Sequence, residues 1–242
     1  MPDVRDRVLY EDNHVIIINK LPGELVQGDQ SGDKTLADEV REYLKEKYHK
    51  PGNVYLGIPH RIDRPSSGIV IYARTEKALV RLNALFRDDD GIRKTYWAVV
   101  DRVPDQDEGL IVHYVTRDTT KNKTTATKQA RNGSQEARMS YRMVSASKSF
   151  FLLEIELLTG RHHQIRAQLA AMGSHIKGDL KYGAARSNED GGIHLHARAV
   201  SFMHPVKEKR VTVTAPPPRD AVWDYFASLT PEIKQSGGTE RC

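Results

Sequence analysis

The chain has almost no sulfur to cross-link. Its 242 residues include one cysteine, Cys242, at the last position. A single thiol cannot close a disulfide within the chain, and no cysteine-based zinc site can assemble. Such a chain fits a reducing compartment, the cytoplasm. Long apolar runs are missing as well. The longest, VIIIN and FFLLEIELL, fall far short of the roughly 20 residues that a membrane helix needs. The opening MPDVRDRVLYEDNH has no apolar stretch behind a basic start, so no secretory signal is expected. There is no internal repeat and no Gly/Ser-rich linker. One continuous domain is therefore expected over residues 1–229, with a flexible tail at 230–242 that ends in SGGTERC.

What is present is positive charge. Lys and Arg number 37 against 32 Asp and Glu, a net charge of +5. A basic surface concentrates polyanions and speeds encounter with them. Nucleic acid is the partner class this favours.

Strand and helix patterns alternate irregularly. VLYEDNHVIIINK reads as two short strands around a polar turn, closed by Pro22-Gly23. Leu36, Val40 and Leu44 recur every four residues on a helix that Thr35 can cap. Ile69 to Ala73 reads as a buried strand, followed by a helix from Thr75 that turns Leu79, Leu82 and Phe86 to a core. Strands are expected at Lys94 to Val100, Leu110 to Val115, Ala137 to Val144 and Phe150 to Leu158. A short helix is expected from His162 to Met172, with further strands at His194 to Phe202 and Arg210 to Thr214 and a last helix at Asp220 to Ala227. Consecutive strands with no helix between them pair antiparallel. The expected class is α+β with a large mixed, mainly antiparallel sheet flanked by helices.

Three segments carry chemistry. In PHRIDRPSSGIVIYA, Asp63 stands between Arg61 and Arg64 on a loop that feeds a buried strand. Nearby positive charge keeps a carboxylate ionised even when it is partly desolvated. In LLTGRHHQIRAQLAAMG, His162 and Arg166 are four apart and would share a helix face. Ile165, Leu169 and Met172 form the buried stripe, and Arg166 sits at its edge, able to reach a carboxylate with two prongs. In RKTYWAVV, Tyr96 and Trp97 point to opposite faces of a strand, and a ring presented in a cleft can stack on a base.

Together these segments resemble the RluA-type family of RNA pseudouridine synthases. The HRLD signature stands as His60-Arg61-Ile62-Asp63, followed by Ser66-Ser67-Gly68. The Lys-x-Tyr strand is Lys94-Thr95-Tyr96, and the TGRxHQ[IL]R segment runs from Thr159 to Arg166. GDLKYG at Gly178 to Gly183 and the pattern from His196-Ala197 to Phe202, His204 and Pro205 complete the order. The likeness spans about Val8 to Pro216. Ile62, Ser66 and Val200 replace the family's Leu, Thr and Leu.

The resemblance implies a mixed sheet with a central RNA-binding cleft and an isomerase that turns uridine into pseudouridine. It assigns Asp63 as the essential carboxylate, Tyr96 as the ring against the target uracil, and Arg166 as the basic partner of the aspartate. Arg61 would enter the RNA stack when the target base leaves it. Arg64, Arg161 and Lys94 stand in the same signatures and are expected to contact RNA. The family pattern begins within the first ten residues, so no N-terminal S4-type RNA-binding domain is expected. Partners would be ribosomal or transfer RNA, with no membrane and with a monomer as the default.

The chemistry agrees with a single carboxylate. Uracil leaves C1′ and returns through C5, so leaving group and incoming partner are the same, whereas a glycosidase needs two positioned carboxylates. Asp63 could attack C1′, attack the base, or take a proton at C2′. No cofactor is called for. Ten histidines raise a metal question, with His194 and His196 on one strand face, but no HExxH or acidic cluster supports a metal site. Arg117, Lys121, Lys123 and Lys128 lie in a Thr-rich stretch, read as a loop suited to phosphate contacts. Two rivals are a non-catalytic RNA-binding module, which would lack the aspartate, tyrosine or motif arginine, and a metal-dependent hydrolase acting on nucleic acid, which a chelator would silence.

Overall fold

The computed structural model describes residues 2–28 and 32–230, so the expected tail lies almost wholly outside the described residues. In chain order the elements are β1 (Val8–Glu11), β2 (Val15–Lys20), α1 (Leu36–Lys47), β3 (Ser67–Ala73), α2 (Glu76–Arg87), β4 (Ile92–Val100), β5 (Glu108–Asp118), β6 (Lys123–Thr127), β7 (Gln135–Ala146), β8 (Phe151–Leu157), α3 (Gln164–Ala171), β9 (Leu195–Met203), β10 (Arg210–Thr214) and α4 (Ala221–Leu229). The chain divides into two compact units. Among the described residues, the first holds 2–92 and 197–216 and the second holds 93–196 and 217–230. No helix among the described residues is long and apolar enough to cross a membrane.

In the first unit β1, β2 and β3 pair antiparallel in sequence order, and β9 pairs antiparallel with β10. Every residue of β3 is buried, which is why its sequence reads as a continuous apolar run rather than an alternation. Ile16, Ile18, Val70 and Tyr72 pack with Leu36, Val40 and Leu44 of α1 in one core. Thr35 caps α1 as expected. Its Oγ1 accepts from the Asp38 N–H, and the Asp38 carboxylate accepts from the Thr35 N–H, a reciprocal cap worth about 1 kcal/mol. Thr75 caps α2, where Leu82 is buried and the Phe86 ring stacks on His60.

In the second unit β4, β8, β7, β5 and β6 pair antiparallel in that spatial order. Alternation along β4 serves two cores. Trp97 and Val99 pack with Leu152, Trp223 and Phe226, while Ala98 and Tyr96 join the cluster around Ile155, Ile165 and Leu169. Opposite faces for Tyr96 and Trp97 follow from the period of two.

Two local expectations are corrected. Residues 123–127, read as loop, form strand β6, paired with β5 from Tyr114↔Thr127 to Asp118↔Lys123. The segment KTTAT is polar, so it lacks the apolar alternation of a strand. Its threonines favour extended backbone, and Thr124 alone is deeply buried. Asp118 closes the hairpin by accepting from the N–H groups of Thr120 and Lys121. The helix expected from His162 starts at Gln164, because His163 adopts a left-handed conformation at φ 49°. His162 therefore precedes the helix and shares no helix face with Arg166. The imidazoles of His162 and His163 stack at 3.8 Å and 21°.

Candidate active site

The loop that carries Asp63 belongs to the first unit and is held by a lysine that sequence reasoning passed over. Lys20 ends β2 and is fully buried. Its Nζ donates to the carbonyls of Leu21 (2.9 Å), Arg64 (3.0 Å) and Ser66 (2.6 Å). The Ser66 N–H donates back to the Asp63 carbonyl at 3.0 Å, closing the turn. Loss of water lowers the Lys20 pKa to about 7, although the charges of Glu24 and Asp63 act to raise it. The only sequence signal for Lys20 was a single charged residue at the end of a mostly apolar strand.

Two further contacts fix the segment. The Ile71 N–H donates to His60 Nε2 at 2.8 Å, and the His60 ring lies 4.3 Å from that of Phe86. Hydrogen bonding thus accounts for His60. Gly68 sits at φ +108°, and a Cβ there would lie 2.4 Å from the Ala197 carbonyl oxygen in β9, so no other residue fits. Arg61 and Arg64 are exposed and Asp63 is partly buried. Arg64 donates to the Gly23 carbonyl (2.9 Å) and to Asp33 (2.8 Å).

Replacing Lys20 with Met should cost about 3 kcal/mol, because buried carbonyls lose their N–H donors. In the folded protein Lys20 gives up its proton near pH 7, whereas in the unfolded chain it does so near 10.5. Between those values the unfolded state binds more protons, so this group adds stability as pH rises and withdraws it as pH falls toward 7. Urea unfolding at pH 7 and pH 9.5 should show the gap between wild type and Lys20→Met widening at the higher pH. An equal gap at both would mean that the buried amine does not titrate in this range.

The second unit carries the other expected residues. Lys94 and Tyr96 lie on β4, both partly buried. Arg161 is exposed and its Nε donates to the Glu136 carbonyl at 3.1 Å. Arg166, placed at the edge of a stripe by periodicity, is itself buried, as are all residues from Gln164 to Leu169. Its Nε and Nη2 donate to the two carboxylate oxygens of Asp179, each at 2.7 Å. This bidentate pair sets the plane of the guanidinium. The guanidinium carbon lies over the Tyr182 ring, 4.9 Å from its centre. Asp179 and Tyr182 stood in the GDLKYG segment with no role assigned, since nothing in the sequence links them to Arg166. Tyr182 Oη meets His163 Nδ1 at 2.9 Å, so hydrogen bonding accounts for His163 too.

The His194 and His196 rings both pack on Trp223. His194 Nδ1 meets Asn188 at 2.9 Å and its Nε2 lies 3.0 Å from Asp220. Burial pushes its pKa down to about 4, against the pull of Asp220. Among the described residues no group of three or more His, Cys, Asp or Glu is placed to hold a metal ion.

The model of the RNA pseudouridylate synthase family matches residues 14–171, which include Asp63, Tyr96 and Arg166. The chain is 30% identical over 228 residues to ribosomal large subunit pseudouridine synthase D of Zymomonas mobilis, covering 90% of this chain and 71% of that protein. It is 32% identical over 215 residues to ribosomal large subunit pseudouridine synthase C of Vibrio cholerae, covering 86% and 65%. In fold it is similar to human RNA pseudouridylate synthase domain containing 4, with a TM-score of 0.75 at 23% identity over 92% of this chain and 93% of that one. The chain belongs to the RNA pseudouridylate synthase family, whose members are isomerases acting on RNA.

Proposed function

We propose that this protein isomerises uridines of large-subunit ribosomal RNA in the cytoplasm, with Asp63 as its essential carboxylate. Asp63 is the observation that carries the reading. It stands in the family segment, partly buried, on a loop clamped by two hydrogen bonds from one buried lysine. The names of the relatives point to ribosomal RNA rather than transfer RNA.

The target base must first leave its stack, which costs a few kcal/mol. Arg61, exposed beside Asp63, takes the vacated space and offsets part of that cost. Tyr96 places its ring against the uracil, and Arg166 holds the carboxylate ionised. The N1–C1′ bond breaks, uracil turns, and C5–C1′ forms. N1 gains a proton and C5 releases one, so the reaction is an isomerisation that needs no external water. Asp63 can serve it as a nucleophile at C1′ or at the base, or as a base at C2′. Lys94, Arg161 and the hairpin cations Arg117, Lys121, Lys123 and Lys128 contact phosphates, which position RNA without reading sequence. The protein acts as a monomer, with neither metal nor cofactor.

The test is release of tritium from [5-³H]uridine in unmodified large-subunit rRNA, with and without EDTA. Release that survives chelation supports the proposal. Release from tRNA alone moves the substrate, and no release with tight RNA binding leaves a non-catalytic binding module.

A further inference from the structure

One side chain in the second unit joins an RNA-facing hairpin to the helix that bears Arg166. The Tyr182 hydroxyl accepts from the Thr124 backbone N–H at 2.8 Å. Thr124 is the buried residue of β6, and that N–H points to the phenol rather than to a strand partner. The same hydroxyl meets His163 Nδ1 at 2.9 Å, and His163 is the left-handed residue from which α3 starts. Beside it, His162 Nδ1 meets Thr124 Oγ1 at 2.8 Å, so hairpin and turn are tied twice. The Tyr182 ring then serves as a floor. The Arg166 guanidinium lies 4.9 Å from its centre and the Lys123 ammonium 5.2 Å. Lys181, its chain neighbour, donates to the Asn122 carbonyl at the hairpin tip at 3.2 Å.

These contacts have a directional consequence. Arg166 is the third residue of α3, so the left-handed turn at His163 sets where its guanidinium lies. A hydroxyl that fixes that turn fixes Arg166 at one remove, and the ring fixes the guanidinium directly. The hairpin carries Arg117, Lys121 and Lys123. A phosphate drawn to Lys123 competes for the cation that shares the ring with Arg166.

We propose that Tyr182 is a positioning residue of this isomerase, coupling the seating of RNA on the β5–β6 hairpin to the placement of Arg166. This inference rests on the function proposed above. Tyr182 touches neither substrate nor reacting atoms in this account and acts through Arg166 and His163. Its position lies beyond the segment matched by the family model.

The test is single-turnover tritium release at saturating rRNA, alongside RNA affinity and thermal midpoint, for wild type, Tyr182→Phe and Tyr182→Leu. Phe keeps the floor under Arg166 and removes the hydroxyl, while Leu removes both. Misplacing a catalytic group by about 1 Å costs up to about a hundred-fold in rate, and a smaller shift costs less. The expected result is a chemical step slowed about ten-fold in Phe and more in Leu, with RNA affinity held within about three-fold. The Phe variant should also stay folded at the assay temperature. An unchanged chemical step in Phe overturns the proposal. So does a loss that appears only in affinity, or one that vanishes when the assay is run well below the variant's midpoint. An inactive wild type would instead overturn the function itself, so the two failures are distinguishable.

Discussion

Asp63→Asn should lose tritium release by about 10⁴-fold, the upper end of what one positioned acid–base group contributes, while still binding rRNA within a few-fold. The substitution keeps the shape of the side chain. It also keeps the backbone carbonyl of Asp63 that accepts from the Ser66 N–H. The lost charge does reach one neighbour: the Asp63 carboxylate helps the buried Lys20 hold its proton. Lys20 in the variant should therefore release its proton at lower pH, a shift visible in the pH dependence of stability and absent from Asp63→Asn/Lys20→Met. The measurement is single-turnover release with folded fraction checked by circular dichroism. A rate within ten-fold of wild type would remove Asp63 from the chemistry and leave family membership standing. A silent but well-folded variant with intact binding would place the carboxylate at the reacting atoms.

Element type was legible wherever an apolar period survived. Val15 to Ile18, Ile69 to Ala73 and the Leu36-Val40-Leu44 stripe all lie where hydrophobic burial put them. The strand at 123–127 escaped because its stabilisation comes from backbone pairing and threonine, which leave no apolar signature. The start of α3 escaped for a related reason. A single left-handed histidine starts the helix two residues later than the sequence suggests, and a tertiary hydrogen bond to Tyr182 holds it there. Roles divided along the same line. The residues expected to touch substrate stand in motifs, so they could be named from the sequence. Those that hold them, Lys20 and Asp179, are recognised only by burial and by partners 46 and 13 residues away.

The Arg166–Asp179 pair separates holding from reacting. Asp179→Ala removes the bidentate partner of an arginine that is 4% exposed, and breaking a buried pair on one side costs about 3–5 kcal/mol. In a chain of this size that corresponds to roughly 6–20 °C in thermal midpoint. Arg166→Met should be comparably damaging, since it strands a carboxylate that is 1% exposed. The double variant Arg166→Met/Asp179→Leu removes both charges and fills the space with apolar atoms. Such replacements are often neutral in stability, so much of the lost midpoint should return. Activity should not return with it. If Arg166 holds the Asp63 carboxylate ionised, a stable protein without the guanidinium still lacks its positive charge at the reaction, and tritium release should stay at least about 10²-fold down. Calorimetry and single-turnover release on the same four proteins decide the matter. Recovery of stability without recovery of rate makes Arg166 part of the chemistry, and recovery of both would confine the pair to building the helix turn on which α3 begins.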